Sequence, residues 1–308
     1  MPVCSAASAN LVAWYPGEGN ANDIIGGNNG SLQNGTTFAA GKVGQAFSFD
    51  GIDDQITIPH NPNQNTGSQI TIDAWVNPGS SGHGRPILQK RSSSNVGGYT
   101  FETAHSPFGP DNSLQFVIMI GGVYKTVATP ANALTLGVWQ HVAATYDGAV
   151  MKIYVNGIEK GSVAQTGAID AVTDPVVIGR NVVNPAFVWQ GGLDEIDLFN
   201  RALSQSEIAA IVTADSAGKC VPTPTVATVD GKVLTSDGRG LRNATVLITD
   251  SQGVARISTT SSFGFYSFAD IPIGAQYRVT VRSRLFRYQP QIVTVNGNVT
   301  LPDFVGLE

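Results

Sequence analysis

The chain is a succession of short runs in which apolar and polar residues alternate, separated by turn residues. That is the pattern of half-buried β-strands. Ile70 to Val76 places Ile70, Ile72, Ala74 and Val76 on one side. Phe47-Ser48-Phe49, Leu114 to Ile120, Trp139 to Tyr146, Val150 to Val155 and Val176 to Ile178 are further runs. Asp147-Gly148 and Asn156-Gly157 predict hairpins, because these residues tolerate the positive φ of tight turns. One helix is predicted. Ser204 and Glu207 have capping-box spacing ahead of Ile208, Ala209, Ala210, Ile211 and Val212. About a dozen short strands and one small helix predict an all-β, two-sheet sandwich.

Cys220-Val221-Pro222-Thr223-Pro224-Thr225 breaks the pattern, and its alternating prolines favour an extended spacer. The expected division is a first domain over 5–219, a Pro/Thr linker over 220–225 and a second domain over 226–308. The second has runs at Val226 to Leu234, Ala244 to Thr249, Tyr277 to Val281 and Ile292 to Val295. Turns at Asp237-Gly238, Asp250 to Gly253 and Asn296-Gly297 punctuate them. These predict a small seven-stranded Ig-like or transthyretin-like β-sandwich. Phe263, Phe265, Tyr266, Phe268, Ile271 and Tyr277 are its expected core.

Charge narrows the partners. Residues 1–225 hold 10 basic and 17 acidic side chains and residues 226–308 hold 8 and 6, giving −7 and +2. No basic block would neutralise several phosphates, so nucleic acid is not an expected partner. No apolar run approaches the ~20 residues of a membrane-spanning helix, so no membrane insertion is expected. No leader of basic, apolar and small residues is visible. Met1-Pro2-Val3 and Leu307-Glu308 read as added ends, so a piece of a longer secreted chain is expected. Cys4 and Cys220 bracket the first domain. In an oxidising compartment they would tie its ends together, and otherwise they are two free thiols; the disulfide is the expectation.

Particular residues then carry a resemblance. Leu11-Val12-Ala13-Trp14-Tyr15, the loop Glu18 to Gly30, Phe47-Ser48-Phe49-Asp50-Gly51-Ile52-Asp53-Asp54, Ile72-Asp73-Ala74-Trp75-Val76, Trp139-Gln140-His141-Val142-Ala143, Ile153-Tyr154-Val155-Asn156-Gly157 and Leu193 to Ser204 occur in the family's order. By these the first domain resembles the laminin-G-like, concanavalin A-like jelly rolls of bacterial extracellular proteins. Val229 to Val233, Gly240 to Val246 and Ser262 to Phe268 resemble carboxypeptidase-regulatory-like domains, which are accessory modules and not peptidases. The resemblance implies a jelly roll followed by that small sandwich, at the cell surface or secreted.

Three chemistries compete in the first domain. Glu195-Ile196-Asp197 nearly spells a glycoside hydrolase signature, but Asn200 stands where the acid/base carboxyl is needed, and an amide cannot trade that proton. Hydrolysis is therefore the minor alternative. The second chemistry is a structural calcium site. Glu18, Asp23 and Asn28 offer hard oxygens in a glycine-rich loop, and the resemblance implies that Asp194 completes the set. The turn Asp50-Gly51-Ile52-Asp53-Asp54 competes for the ion, although its carboxylates also suit local turn bonds. The third is ligand binding by the least framework-like loops, through His83, Arg85, Phe108, Asn181 and Asn184. The expected function is non-catalytic adhesion or recognition of a glycan or another surface protein; the alternative is a structural spacer. In the second domain Arg278, Arg282 and Arg284 form a basic face.

Overall fold

A computed structural model describes residues 4–6, 8–92, 97–104, 112–220 and 226–307. The chain divides into two compact units, Met1–Val221 and Pro222–Glu308.

The first unit is a sandwich of an eight-stranded and a seven-stranded sheet. The larger sheet runs Ile158–Ala164, Val150–Val155, Gln140–Tyr146, Ile70–Pro78, Gln190–Phe199, Gln45–Asp50, Thr37–Ala40, and Leu11–Tyr15 also pairs with Gln190–Phe199. The smaller sheet runs Val123–Ala128, Leu114–Ile120, Gly98–Thr103, Pro86–Arg91, Val176–Ile178, Gln55–Ile58, Ser31–Gln33. The alternation has the predicted effect: Ile70, Ile72, Ala74 and Val76 face Phe101, Phe116, Ile118 and Ile178 in one core between the sheets. Trp14, Trp75 and Trp189 are all buried, so none of the three is an exposed sugar platform.

Helix Gln205–Ala214 starts on the predicted capping box, with Ser204 accepting from the Glu207 N–H and Glu207 reaching back. Its apolar side, Ile208 and Ile211, closes over Ala143, Tyr154, Phe199 and Leu203 on the outer face of the eight-stranded sheet. Ser5 bridges Lys219 in parallel, and Cys4 is disulfide-bonded to Cys220 with Cα atoms 4.9 Å apart. The terminal segments of this unit therefore lie together.

The second unit has two four-stranded sheets. Val226–Leu234 is flanked by Phe265–Pro272 on one side and by the two-residue strands Val299–Thr300 and Phe304–Val305 on the other. Thr245–Thr249, Ala255–Thr259, Ala275–Arg282 and Gln291–Val295 make the second sheet. Tyr266, Phe268, Ile271 and Tyr277 are core, as expected. Phe263 and Phe265 are not. They are 72% and 56% exposed, because the period of two on Phe265–Pro272 sends Phe265 outward when Tyr266 and Phe268 point in.

Candidate functional site

The carboxylate strand Gln190–Phe199 is covered. Its pairing with Ile70–Pro78 is interrupted between Asp194 and Asp197 by a bulge at which Glu195 adopts φ 53°. The bulge leaves Leu193, Ile196 and Leu198 in the core and Asp194 and Asp197 in register with Trp75 and Asp73. Asp73, Glu195 and Asp197 are buried, and Lys219 enters among them. Its Nζ lies 2.7 Å from Glu195 Oε2, 3.0 Å from Asp197 Oδ2 and 4.6 Å from the centre of the Trp14 ring. Asp73 Oδ2 is 3.0 Å from His141 Nε2, and the His141 ring meets Trp75 edge-on at 5.4 Å.

Burial alone would push the Lys219 ammonium down, but Asp197, Glu195 and Asp73 hold it above the usual lysine range. Burial drives Asp197 and Glu195 upward, with Lys219 pulling both back. A glycosidase needs two carboxyls open to a sugar. Here both are sealed, Lys219 is salt-bridged to them, and Asn200 sits outside the cluster with its N–H on the Asn10 carbonyl.

The expected calcium ligands do not converge. Asp23 is consumed by its own loop: Oδ1 accepts from the N–H groups of Trp14, Ile25 and Gly26, and Oδ2 from the Asn28 N–H and side-chain amide, all at 3.0 Å. Asn28 thus joins Asp23 as a donor. Glu18 Oε1 accepts from the Gln45 N–H. Asp194 lies elsewhere, with Oδ2 accepting from the Lys42 and Val43 N–H groups at 2.8 and 2.9 Å. Glu18, Asp23, Asn28 and Asp194 do not fit one ion, because hard-oxygen coordination requires free lone pairs aimed at a common point. Among the described residues, the three acidic side chains whose oxygens lie within 4.8 Å of one another are Asp50, Asp53 and Asp54.

The loop residues do come together. His83 Nδ1 lies 3.1 Å from the Ala104 carbonyl, and Thr103 Oγ1 accepts from the Arg85 N–H at 3.0 Å. Asn181 donates to the Gly84 carbonyl at 3.1 Å and to Glu102 Oε2 at 3.3 Å. Asn181 and Asn184 also cap their own turn by accepting N–H bonds from Val183, Asn184 and Ala186. Phe108 lies outside the described residues.

Beside this loop cluster is a row not anticipated from the sequence. On the outward face of the seven-stranded sheet Gln89, Thr100, Glu102 and Gln115 stand side by side, paired as Gln89–Thr100 and Glu102–Gln115. Gln115 Nε2 donates to Glu102 Oε1 at 2.5 Å, and Gln89 Nε2 donates to the Arg180 carbonyl at 2.5 Å. Gln89 Oε1, Gln115 Oε1 and Thr100 Oγ1 are buried without a hydrogen-bond partner. Buried polar atoms are nearly always satisfied, so three unsatisfied ones on one face stand out, the four side chains of the row being 2% exposed or less. The signal was present in the runs Gly98–Thr103 and Leu114–Ile120, where Tyr99, Phe101, Leu114, Phe116 and Ile118 are core and Thr100, Glu102 and Gln115 alternate onto the opposite face.

Comparison with known proteins follows this geometry. A family model for the concanavalin A-like lectin/glucanases superfamily matches residues 50–209, and one for the carboxypeptidase regulatory-like domain matches residues 228–305. The chain belongs to the concanavalin A-like lectin/glucanase superfamily. Both matches are to binding or regulatory modules rather than to catalytic ones. No curated protein sequence matches. Among solved structures, domain 4 of AbnA, an extracellular arabinanase from Geobacillus stearothermophilus in complex with arabinotriose, is 20% identical with a TM-score of 0.54 over 66% of this chain and 98% of that one. The binding domain of Paraclostridial Mosquitocidal Protein 1 is 14% identical, with a TM-score of 0.53 over 92% of this chain and 75% of that one. The receptor-binding domain of botulinum neurotoxin D is 12% identical, with a TM-score of 0.50 over 91% and 74%. At these identities the likeness is one of fold.

The buried cluster yields two tests. Lys219→Met should cost about 3–5 kcal/mol in urea unfolding of the first domain, because it strands carboxylates in a dry site. Asp197→Asn combined with it should recover part of the loss. The second test is pH. Burial, opposed by the Val43 N–H and reinforced by Glu195, raises the Asp194 carboxyl from 3.8 to about 7. The folded state then holds this proton more tightly than the unfolded chain. Its contribution is complete at low pH and is lost as pH rises from about 4 to about 7. Thermal stability should fall over that window in the parent protein. Asp194→Asn, whose amide oxygen keeps both N–H bonds, should flatten that fall.

Proposed function

We propose that the first domain is a non-catalytic recognition module of a secreted or cell-surface protein, and that it binds a glycan. Its site is the polar row Gln89, Thr100, Glu102 and Gln115 with the adjoining Asn181 loop. The observation that carries this reading is the set of unpartnered oxygens on that row. Amide and carboxyl groups on a rigid sheet suit vicinal hydroxyls, each of which both donates and accepts. The burial of Glu195 and Asp197 beneath Lys219 favours recognition over hydrolysis. The complex of the arabinanase domain supports a sandwich of this kind as a sugar holder. The disulfide favours an oxidising compartment. Among the described residues no helix is long and apolar enough to cross a membrane.

A structural calcium ion is assigned to the turn Asp50, Asp53 and Asp54 instead of the Glu18 loop. Asp54 is 2% exposed, and its Oδ2 accepts from the Asp50 N–H while Oδ1 has no hydrogen-bond partner. A buried carboxylate oxygen without a donor, beside two further carboxylates, is matched by a hard cation.

A glycan array with the intact protein should return a defined set of neutral or acidic glycans. Gln115→Met should weaken binding to them about tenfold, since losing the partner of a bound hydroxyl costs ~1–3 kcal/mol. An empty array would favour the spacer role. Chelation with EDTA should lower the melting temperature, and Asp53→Asn should remove that response while Asp194→Asn leaves it. A melting curve indifferent to EDTA would reduce the acidic turn to a local hydrogen-bonding motif.

A further inference from the structure

We infer that the second domain carries its own shallow site for a neutral saccharide, on the outward face of the sheet built on Val226–Leu234. The site uses none of the residues assigned in the first domain.

Strand register builds it. Lys232 pairs with Phe265, and Asp230 pairs with Ser267 on one side and Thr300 on the other. Val233 pairs with Phe304, which sets Asp303 beside Lys232. Side chains at i and i+2 share a face, so Phe265, Lys232 and Asp303 form one row and Ser267, Asp230 and Thr300 the next. These six line a cavity of about 630 Å³.

Each part has a chemistry. The Phe265 ring is more than half exposed and stands where the sequence pattern would have placed core. It offers a flat apolar surface to the C–H face of a pyranose or furanose. Asp230 and Asp303 are acceptors for hydroxyl donors, and Ser267 and Thr300 serve in either sense. Lys232 Nζ lies over the Phe265 ring, 5.0 Å from its centre, so it caps one face and leaves the rest of the exposed ring to a sugar. Beneath them Tyr266 lines the same cavity. Its hydroxyl is buried and has no hydrogen-bond partner, and a Cβ at Gly231 would collide with it, so the glycine reserves its position.

Charge selects the ligand class. Two carboxylates against one ammonium disfavour sulfate, phosphate and uronate groups. A cationic ligand finds the ring already occupied by Lys232. A neutral polyhydroxylated ligand remains, and an aromatic platform flanked by hydroxyl acceptors is what it requires.

The test is ¹⁵N NMR on the full chain, titrated separately with arabinotriose, xylotriose, cellotriose and maltotriose at millimolar concentration. At least one should move the amides of Lys232, Phe265 and Ser267 together. Phe265→Ala should weaken that titration about tenfold or more, as loss of an aromatic anchor does. Phe265→Tyr should retain it, and Asp303→Asn should weaken it. Both positions are exposed, so amide spectra of the variants should otherwise match the parent. Gln115→Met should leave these shifts unchanged. The inference falls if none of the four sugars moves these amides, if Phe265→Ala leaves the affinity unaltered, or if a lysine-rich peptide moves them and the sugars do not. Shifts confined to first-domain amides would sustain the first-domain reading and overturn this one.

Discussion

The first domain depends on one ammonium group. Strand pairing puts Asp73 directly opposite Asp197, and the bulge turns Glu195 toward them. Like charges opposed across a strand pair repel, and burial removes the water that would screen them. Lys219 resolves the conflict only because Cys220 and the Ser5 bridge bring its segment back over the sheet. Buried ion pairs add little net stability when weighed against well-packed apolar residues, since desolvation offsets attraction. Their use here is positional: one register of the terminal segment satisfies the carboxylates, and a slip by one residue would bury an unpaired charge.

The two sheets treat their outward faces differently. That of the eight-stranded sheet is closed by the helix Gln205–Ala214 and by the Lys219 segment. That of the seven-stranded sheet carries a buried row of amides, a hydroxyl and a carboxyl beside the Asn181 turn. The core and the polar row are thus separated by the pleat, since neighbouring residues of one strand lie on opposite faces. Tyr99 and Phe101 hold the sandwich while Thr100 and Glu102 between them face outward. The same division recurs in the second domain, where Tyr266 and Phe268 are core and Phe265 and Ser267 are not.

Much of the architecture was legible in the sequence because period-two alternation and turn dipeptides are local signals. Ile70 to Val76 reads as a strand with its apolar side in, and the capping box of Ser204 and Glu207 opens the helix. Hydrogen-bond partners and strand phase were less legible. Five donors from its own neighbourhood engage the Asp23 carboxylate. Asp194 Oδ2 is engaged by the Lys42 and Val43 N–H groups, residues about 150 positions away. Lys219 is an ordinary lysine in sequence, and only the closure of the domain reveals what surrounds it. Phe263 and Phe265 were assigned to the core by hydrophobicity, where phase along the strand decided against them. The row from Gln89 to Gln115 needs strand register, which sequence specifies only through pairing partners far along the chain.

The covalent closure at Cys4 and Cys220, 216 positions apart, also has a mechanical meaning. A tension applied along the polypeptide enters this domain at one cysteine and leaves at the other. It passes through the sulfur bridge and bypasses the sheets, whose hydrogen bonds bear no load. Under stretch the oxidised domain is a rigid bead that adds almost no contour length. Once the bridge is reduced, the same pull reaches the short parallel contact of Ser5 with Lys219 first.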